Sequence, residues 1–167
     1  LLARQLGRDD PETLATLRTA AKLSQLGMIQ LPKELLTKSG SLTPDERAQL
    51  ERHVDYAREA LAGIDFGLPV LEAMTQMHER LDGSGYPDHL QGENICPNAR
   101  ILAVANTFCA LVRPRSYRTA LPVDAALKLL KTTPPSYDPQ VIAALQTILG
   151  TDEGKTFFTR LQNGQEA

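Results

Sequence analysis

The stretch SLTPDERAQLERHVDYAREALAG, residues 41–63, predicts how this chain folds. Thr43 is a favoured N-cap residue, Pro44 suits the first helical position, and Glu46 completes a capping box. An apolar stripe at helical spacing follows: Leu50, Val54, Ala57 and Leu61. The pattern predicts one amphipathic helix that buries this stripe and ends near Gly63.

The same pattern continues on both sides of this stretch. Asp10-Pro11 begins a helix with an apolar face at Leu14, Leu17, Ala21, Ser24 and Met28. Further helices are predicted over residues 67–80, after Pro97, from Pro122 and from Asp138-Pro139, with a weaker segment at 151–162. No run of β-branched residues alternates for long enough to form a sheet, and no internal repeat is present. The prediction is an all-α helical bundle in a single domain.

Composition limits the functions open to a chain of 167 residues. The net charge of −2 provides no basic field for a nucleic acid polymer, so anion binding would need a local cluster. No apolar run could span a membrane, and no signal peptide is visible. Cys96 and Cys109 lack the spacing of zinc ligands and indicate reduced thiols in a cytoplasmic module. The opening LLARQLGRDD resembles the end of a helix already begun, so we expect a fragment of a longer protein.

Three histidines are the first candidates for chemistry. His53 falls on the apolar stripe, where it could be a hydrogen-bonded core residue or a metal ligand. His78 lies at a predicted helix end, just before a glycine-rich loop, and both roles remain equally open there. His89 lies in a polar loop, and we expect it to be solvated.

A hydrolytic metal site usually takes three or more His, Asp or Glu side chains and keeps a position open for water. This chain offers His53, His78 and at most Glu79. The other positions expected to face inward are the neutral residues Ser24, Gln25, Asn106 and Cys109. Amides and hydroxyls coordinate transition metals poorly, so the residue types do not favour a dinuclear centre.

A second constellation is the basic stretch VRPRSYR, residues 112–118. Its guanidinium groups could clamp phosphate, with Tyr117 stacking on a base. The alternative is a solvated basic loop between two helices.

The stretch MHERLDGSGYPDHLQG, residues 77–92, completes a family pattern. The chain resembles the HD-GYP domain, a bacterial subgroup of the HD phosphohydrolases that hydrolyses cyclic di-GMP. That family's signature is His-His-Glu, then Asp-Gly-x-Gly-Tyr-Pro, then Leu-x-Gly. Here it reads Met77-His78-Glu79, DGSGYP at 82–87 and Leu90-Gln91-Gly92, and the likeness runs from about residue 14 to 149. The resemblance implies an HD-superfamily helical bundle.

The departures from the family pattern fall together on its metal site, which holds iron or manganese. The family's ligands and site residues are replaced at Ser24, Gln25, Met28, Met77, Asn106 and Cys109. Of the metal positions that can be aligned, only His53 and His78 remain. The resemblance therefore predicts a vestigial site with no bound cofactor and no catalytic residue.

The family positions that contact the dinucleotide or a partner domain are retained more fully than the metal ligands. Arg115 and Arg118 match family positions that approach the dinucleotide phosphates, with Tyr117 between them. The family's GYP loop is associated with docking onto GGDEF domains, and its main residues are present here: Asp82, Gly83, Gly85, Tyr86 and Pro87. The glycines could equally serve only to allow left-handed turns.

These observations predict a catalytically degenerate HD-GYP module of a bacterial signalling protein. It would bind cyclic di-GMP or a partner domain without hydrolysis. The alternatives are a residual metal-dependent cyclic di-GMP phosphodiesterase and a purely structural or dimerisation module. We expect residues 1–167 to form one such domain that lacks its N-terminal helix and an upstream sensor or receiver domain.

Overall fold

The computed structural model describes residues 1–114, 119–132 and 136–162. Its α-helices are α1 Leu2–Gln5, α2 Pro11–Leu23, α3 Lys33–Thr37, α4 Pro44–Glu51, α5 His53–Ala60, α6 Val70–Gln76, α7 Pro97–Val112, α8 Val123–Thr132, α9 Pro139–Gly150 and α10 Asp152–Gln162. Two 3₁₀ segments, Leu26–Gln30 and Gly92–Asn94, lie between them. No β-strand occurs in the described ranges, where the Asp82–Gln91 bridge is isolated. The all-α prediction is confirmed.

The predicted caps start the helices at the predicted residues. The Asp10 carboxylate accepts a hydrogen bond from the Thr13 N–H at 2.8 Å. At α4 the Thr43 hydroxyl accepts from the Glu46 N–H, and the Glu46 carboxylate accepts from the Thr43 N–H at 2.8 Å, which completes the capping box. Asp138 caps α9 through the Gln140 N–H. Because side chains satisfy these free N–H groups, the sequence determines where the helices begin.

The core is largely aliphatic and surrounds α7, whose Val104, Phe108 and Val112 are almost wholly buried. The segment at 151–162, which the sequence marks only weakly, is helix α10. Its Phe158 packs edge to face on Phe108, with ring centres 5.1 Å apart. Since Phe158 is only 6% exposed, its burial stabilises the fold by about 1.5–3 kcal/mol.

The helix predicted from Pro11 to Met28 ends earlier, at Leu23. Beyond it the Ser24 hydroxyl donates to the Ala21 carbonyl, and the chain continues as the 3₁₀ segment Leu26–Gln30. A Cβ at Gly27 would overlap the His53 carbonyl, so this glycine lets the segment pack directly on α5. The helical period therefore stops at Leu23, and Gln25, predicted to face inward, is exposed. Ala21, which lies within α2, is also exposed, so the predicted inward face is wrong there as well.

Two other predicted helices differ in extent. The helix expected over 41–63 is divided at Arg52 into α4 and α5, and the helix expected over 67–80 is the shorter α6. The second difference matters for the site, because His78 then lies in the turn after α6 rather than within a helix. Among the described helices, none has the length and hydropathy needed to cross a membrane.

Candidate functional site

His53 opens α5 and is 1% exposed, so the prediction that it faces inward is confirmed. Its Nδ1 donates a hydrogen bond to the Leu50 carbonyl at 2.8 Å. Because a carbonyl can only accept, the proton of the neutral imidazole is on Nδ1 and Nε2 keeps a free lone pair. His53 therefore has the hydrogen bond of a core residue on one side of its ring and a potential metal ligand on the other.

His78 lies beside His53 and belongs to the same cluster. The two ring centres are 5.0 Å apart in an edge-to-face arrangement. Tyr86, from the glycine loop, stacks on His78 with centres 4.9 Å apart, and its hydroxyl lies 3.1 Å from His78 Nδ1. The Nε2 atoms of His53 and His78 are both buried, and neither has a hydrogen-bond partner in the part of the chain that the structure describes.

Burial keeps this cluster uncharged at neutral pH. Desolvation, reinforced by the nearby His53 and Arg80, lowers the pKa of His78 to about 3. Desolvation also lowers the pKa of His53 and raises the pKa of Tyr86 to about 12. The cluster therefore offers neutral imidazole nitrogens and a protonated phenol.

Glu79 is adjacent to His78 in sequence, but its carboxylate forms hydrogen bonds with the backbone of the following loop. One oxygen accepts the Asp88 N–H at 2.7 Å and the other accepts the Leu90 N–H at 3.1 Å. The side chain is 2% exposed, and the Asp88 carboxylate in turn pairs with Arg58 of α5 at 2.6 Å. Both carboxylate oxygens are thus occupied by backbone donors, which disfavours Glu79 as a metal ligand.

The glycine loop at 82–87 is held from within. A Cβ at Gly85 would overlap the backbone of Glu79 and Arg80, and Gly83 has a left-handed φ of +80°. Tyr86 follows these turns into the cluster, and a cis peptide bond joins it to Pro87. The two glycines are therefore needed for the backbone path of the loop, which is the structural role considered for them in the sequence.

Asp82 links the loop to the segment before α9. One carboxylate oxygen accepts from the Ser84 N–H and hydroxyl, and the other accepts from the Ser136 hydroxyl at 2.8 Å. The Ser84 hydrogen bonds, with a smaller contribution from Ser136, lower the pKa of the Asp82 carboxyl. Beside this link, the Arg80 guanidinium lies over the Tyr137 ring at 4.6 Å. The sequence gives no sign of this connection, because Asp82 and Ser136 are 54 residues apart.

The remaining candidate positions differ in how deeply they are buried. Ser24 is buried but bonds its own helix, and Gln25 is exposed. Met77 is 3% exposed and belongs to the hydrophobic core. Three others are partly buried: Met28, Asn106 and Cys109. Burial raises the pKa of the Cys109 thiol, and this thiol lies on an apolar cleft of about 1060 Å³ that His53 and His78 do not line.

The predicted phosphate contacts, Arg115, Tyr117 and Arg118, lie outside the described residues. Their flanks are described: α7 ends at Val112, and the Leu121 N–H donates to the Leu111 carbonyl at 2.9 Å. His89, expected to be solvated, is exposed in the loop with a φ of +54°.

A model of the HD domain family matches residues 1–141. The chain belongs to the HD domain family. A search of solved structures finds Bd1817, an HD-GYP protein from Bdellovibrio bacteriovorus, with a TM-score of 0.73 and 25% identity over 90% of this chain and 48% of that one. The predicted HD-superfamily bundle and its HD-GYP-like character are confirmed.

Curated relatives carry the names of cyclic dinucleotide phosphodiesterases. The chain is 40% identical, over 87% of its length, to the cyclic di-GMP phosphodiesterase response regulator RpfG of Xanthomonas campestris, of which it covers 39%. It is 34% identical, over 89% of its length, to 3'3'-cGAMP-specific phosphodiesterase 3 of Vibrio cholerae, of which it covers 32%. The chain thus spans about a third of the length of these relatives.

The HD family uses divalent metals, and the residues present here do not fit the metal site of the HD-GYP pattern. In the described ranges, no group of three or more His, Cys, Asp or Glu side chains is placed to hold a metal ion. The buried donors that lack partners on the HD-GYP site are the Nε2 atoms of His53 and His78. Two neutral nitrogens supply no negative charge to balance two hard divalent ions, for which carboxylates are preferred.

Proposed function

We propose that this HD-GYP-like domain is a cyclic dinucleotide receptor that binds its ligand without hydrolysing it. One observation carries the proposal: the donor cluster consists of two buried neutral imidazoles, while the scaffold around them is complete. Three contacts support this scaffold: the hydrogen bonds of the Glu79 carboxylate to the loop backbone, the stacking of Tyr86 on His78, and the close backbone contact at Gly85. A domain that keeps its shape while losing charged ligands is suited to recognition rather than turnover.

The missing donors matter because of what hydrolysis of a phosphodiester requires. A metal ion must lower the pKa of a bound water and neutralise charge that develops on the phosphate oxygens. At Met77 a thioether in the core replaces an imidazole, and at Asn106 an amide replaces a carboxylate of the family pattern. Each replacement removes charge or ligand strength where the reaction needs it.

Charge also indicates where a dinucleotide would bind. Since the chain has a net charge of −2, its overall field does not attract a ligand with two phosphates. A local cluster is required, and the sequence after α7 contains one in Arg115 and Arg118, with Tyr117 between them as a ring that would stack on a base. The relatives' names make cyclic di-GMP and 3'3'-cGAMP the two ligands to compare.

A partner domain of the GGDEF type is the second candidate ligand, through the loop at 82–87. Asp82 and Ser84 are exposed on its outer side, while Gly85 is buried and Tyr86 and Pro87 are partly buried. The loop is therefore a firmly supported surface with a small polar outer face. This arrangement favours docking of a protein over insertion of an apolar ligand.

Calorimetric titration of the full-length protein with each dinucleotide, with Mn²⁺ present, tests the receptor. We expect saturable binding of cyclic di-GMP or 3'3'-cGAMP and no linear dinucleotide in the cell contents afterwards. Arg115→Ala with Arg118→Ala should weaken binding at least about tenfold, because two charge-assisted contacts are lost. Arg8→Ala with Arg18→Ala, which removes two exposed arginines elsewhere, is the matched control.

The possible outcomes separate the alternatives. Unchanged affinity in the Arg115/Arg118 variant would refute the assignment of these two arginines as phosphate contacts. Product formation would favour the residual phosphodiesterase. Absence of binding for both nucleotides would favour the partner domain or a purely structural role, which a pull-down with an isolated GGDEF domain then distinguishes.

A further inference from the structure

A narrow apolar cleft of about 1060 Å³ lies among α1, α2, α7, α9 and α10. Four buried side chains define its floor: Ile101 and Phe108 of α7, and Leu145 and Ile148 of α9. Ala21 of α2 lies on its wall, so the exposure of this alanine follows from an open space beside the helix. The cleft is separate from the imidazole cluster, whose two histidines do not line it.

The floor of the cleft exposes very little surface to solvent. Ile101 is 4% exposed, Phe108 1%, Leu145 2% and Ile148 5%. A helix with its side chains is about 10–12 Å wide and could not reach side chains that are so nearly covered. An alkyl chain is only as wide as a methylene group, and the volume of the cleft is close to the upper end of the range for small-molecule sites. The shape therefore favours a single alkyl chain as the occupant.

Positive charge collects at the edge of the same cleft. Three exposed arginines from three helices line it: Arg4, Arg18 and Arg160. Within the described ranges, none of these arginines forms an ion pair with a carboxylate. Of the two carboxylates that line the cleft, Asp152 pairs with Lys155 at 3.6 Å, which leaves Glu153 against three guanidinium groups. The cleft therefore combines an apolar floor with an excess of positive charge at its edge.

We propose that this cleft binds a fatty acid, with the alkyl chain along the floor and the carboxylate at the three arginines. A guanidinium group can bind both oxygens of a carboxylate, so the charge at the edge selects an anionic head group over a neutral one. Burial of the chain supplies affinity that grows with its length, by roughly fourfold for each methylene removed from water. This binding is additional to nucleotide binding and does not depend on it.

Calorimetric titration of the full-length protein with sodium decanoate, below the concentration at which it forms micelles, tests the site. We expect saturable binding at a single site. Octanoate, which is shorter by two methylenes, should bind about tenfold more weakly. Decanol, which has the same chain length and no charge, should also bind at least about tenfold more weakly than decanoate.

Arginine variants separate the contribution of the head group from that of the chain. Arg4→Ala with Arg160→Ala should weaken binding of decanoate at least about tenfold and leave binding of decanol unchanged. Arg8→Ala with Arg47→Ala makes the same change in net charge at two exposed arginines that do not line the cleft, and it should bind decanoate as the wild type does. Ala21→Phe, at an exposed position on the wall, should obstruct the cleft and weaken binding of both compounds.

The two cysteines provide a second readout, because Cys109 lines the cleft and Cys96 does not. Decanoate should slow the modification of Cys109 by N-ethylmaleimide and leave the rate at Cys96 unchanged, as measured by peptide mass spectrometry. Equal affinity for decanoate and decanol, equal protection of the two thiols, or no binding to the full-length protein would overturn the proposal. If Ala21→Phe fails to fold, as circular dichroism would reveal, the wild-type titrations and the thiol protection still decide.

Discussion

Replacing Glu79 tests whether the hydrogen bonds of its carboxylate stabilise the loop at 82–87. Glu79→Ala leaves the Asp88 and Leu90 N–H groups without their acceptor. These donors are only partly buried. A fully buried donor left unsatisfied costs about 1–3 kcal/mol, so the free energy of unfolding should fall by at most about 6 kcal/mol. Glu79→Gln keeps one oxygen for one donor and should cost about half as much. Glu93→Ala removes an exposed carboxylate paired with Arg100 and should have the smallest effect.

Urea unfolding followed by circular dichroism measures the three free energies under one set of conditions. A loss of 4 kcal/mol would lower the melting temperature by about 8–16 °C in a domain of this size. The expected order of destabilisation is Glu79→Ala, then Glu79→Gln, then Glu93→Ala. If both Glu79 variants were as stable as Glu93→Ala, the Glu79 hydrogen bonds would contribute nothing to stability, and the loop would not depend on them.

Three further perturbations address other parts of the site. The pKa of His78 is lowered from 6.5 to about 3, because the folded protein buries the neutral imidazole. The stability of the folded state is therefore unaffected by His78 above pH 6.5 and falls as the pH is lowered from 6.5 towards 3. In EDTA, unfolding at pH 5 should therefore require about 2 kcal/mol less than at pH 7, a difference that shrinks in His78→Asn but not in His89→Asn. Gly85→Ala should destabilise by about 1–3 kcal/mol because its Cβ meets backbone, whereas Gly150→Ala, with open space around it, should stabilise slightly in thermal melts. Ser136→Ala should cost at most about 1 kcal/mol in urea unfolding, and a larger loss would indicate that its bond to Asp82 matters more than an exposed carboxylate allows.

The starts of the helices with a side-chain cap are the most predictable feature of the fold. Asp10, Thr43 and Asp138 cap their helices as the sequence indicates, because capping depends on residues only two or three positions apart. The position of His53 on the buried side followed from helical spacing alone. These features depend on local geometry, which a single sequence records directly.

Features that depend on close packing between elements were missed or wrong. The early end of α2 follows from the approach of Gly27 to α5, and this end leaves Gln25 exposed. The acceptor role of Glu79 depends on donors nine and eleven residues later, inside a loop whose path is not periodic. The Glu79 of the family signature was visible in the sequence, but its partners were not.

Binding of a cyclic dinucleotide without its hydrolysis is the role that we propose for this domain. The most direct measurement incubates full-length protein, at a concentration equal to that of cyclic di-GMP or 3'3'-cGAMP, with Mn²⁺ or Fe²⁺ and quantifies both bound and linear nucleotide by chromatography. We expect a bound fraction that is recovered intact after hours. Conversion of the bound nucleotide to its linear form, lost in His53→Asn and His78→Asn, would contradict it.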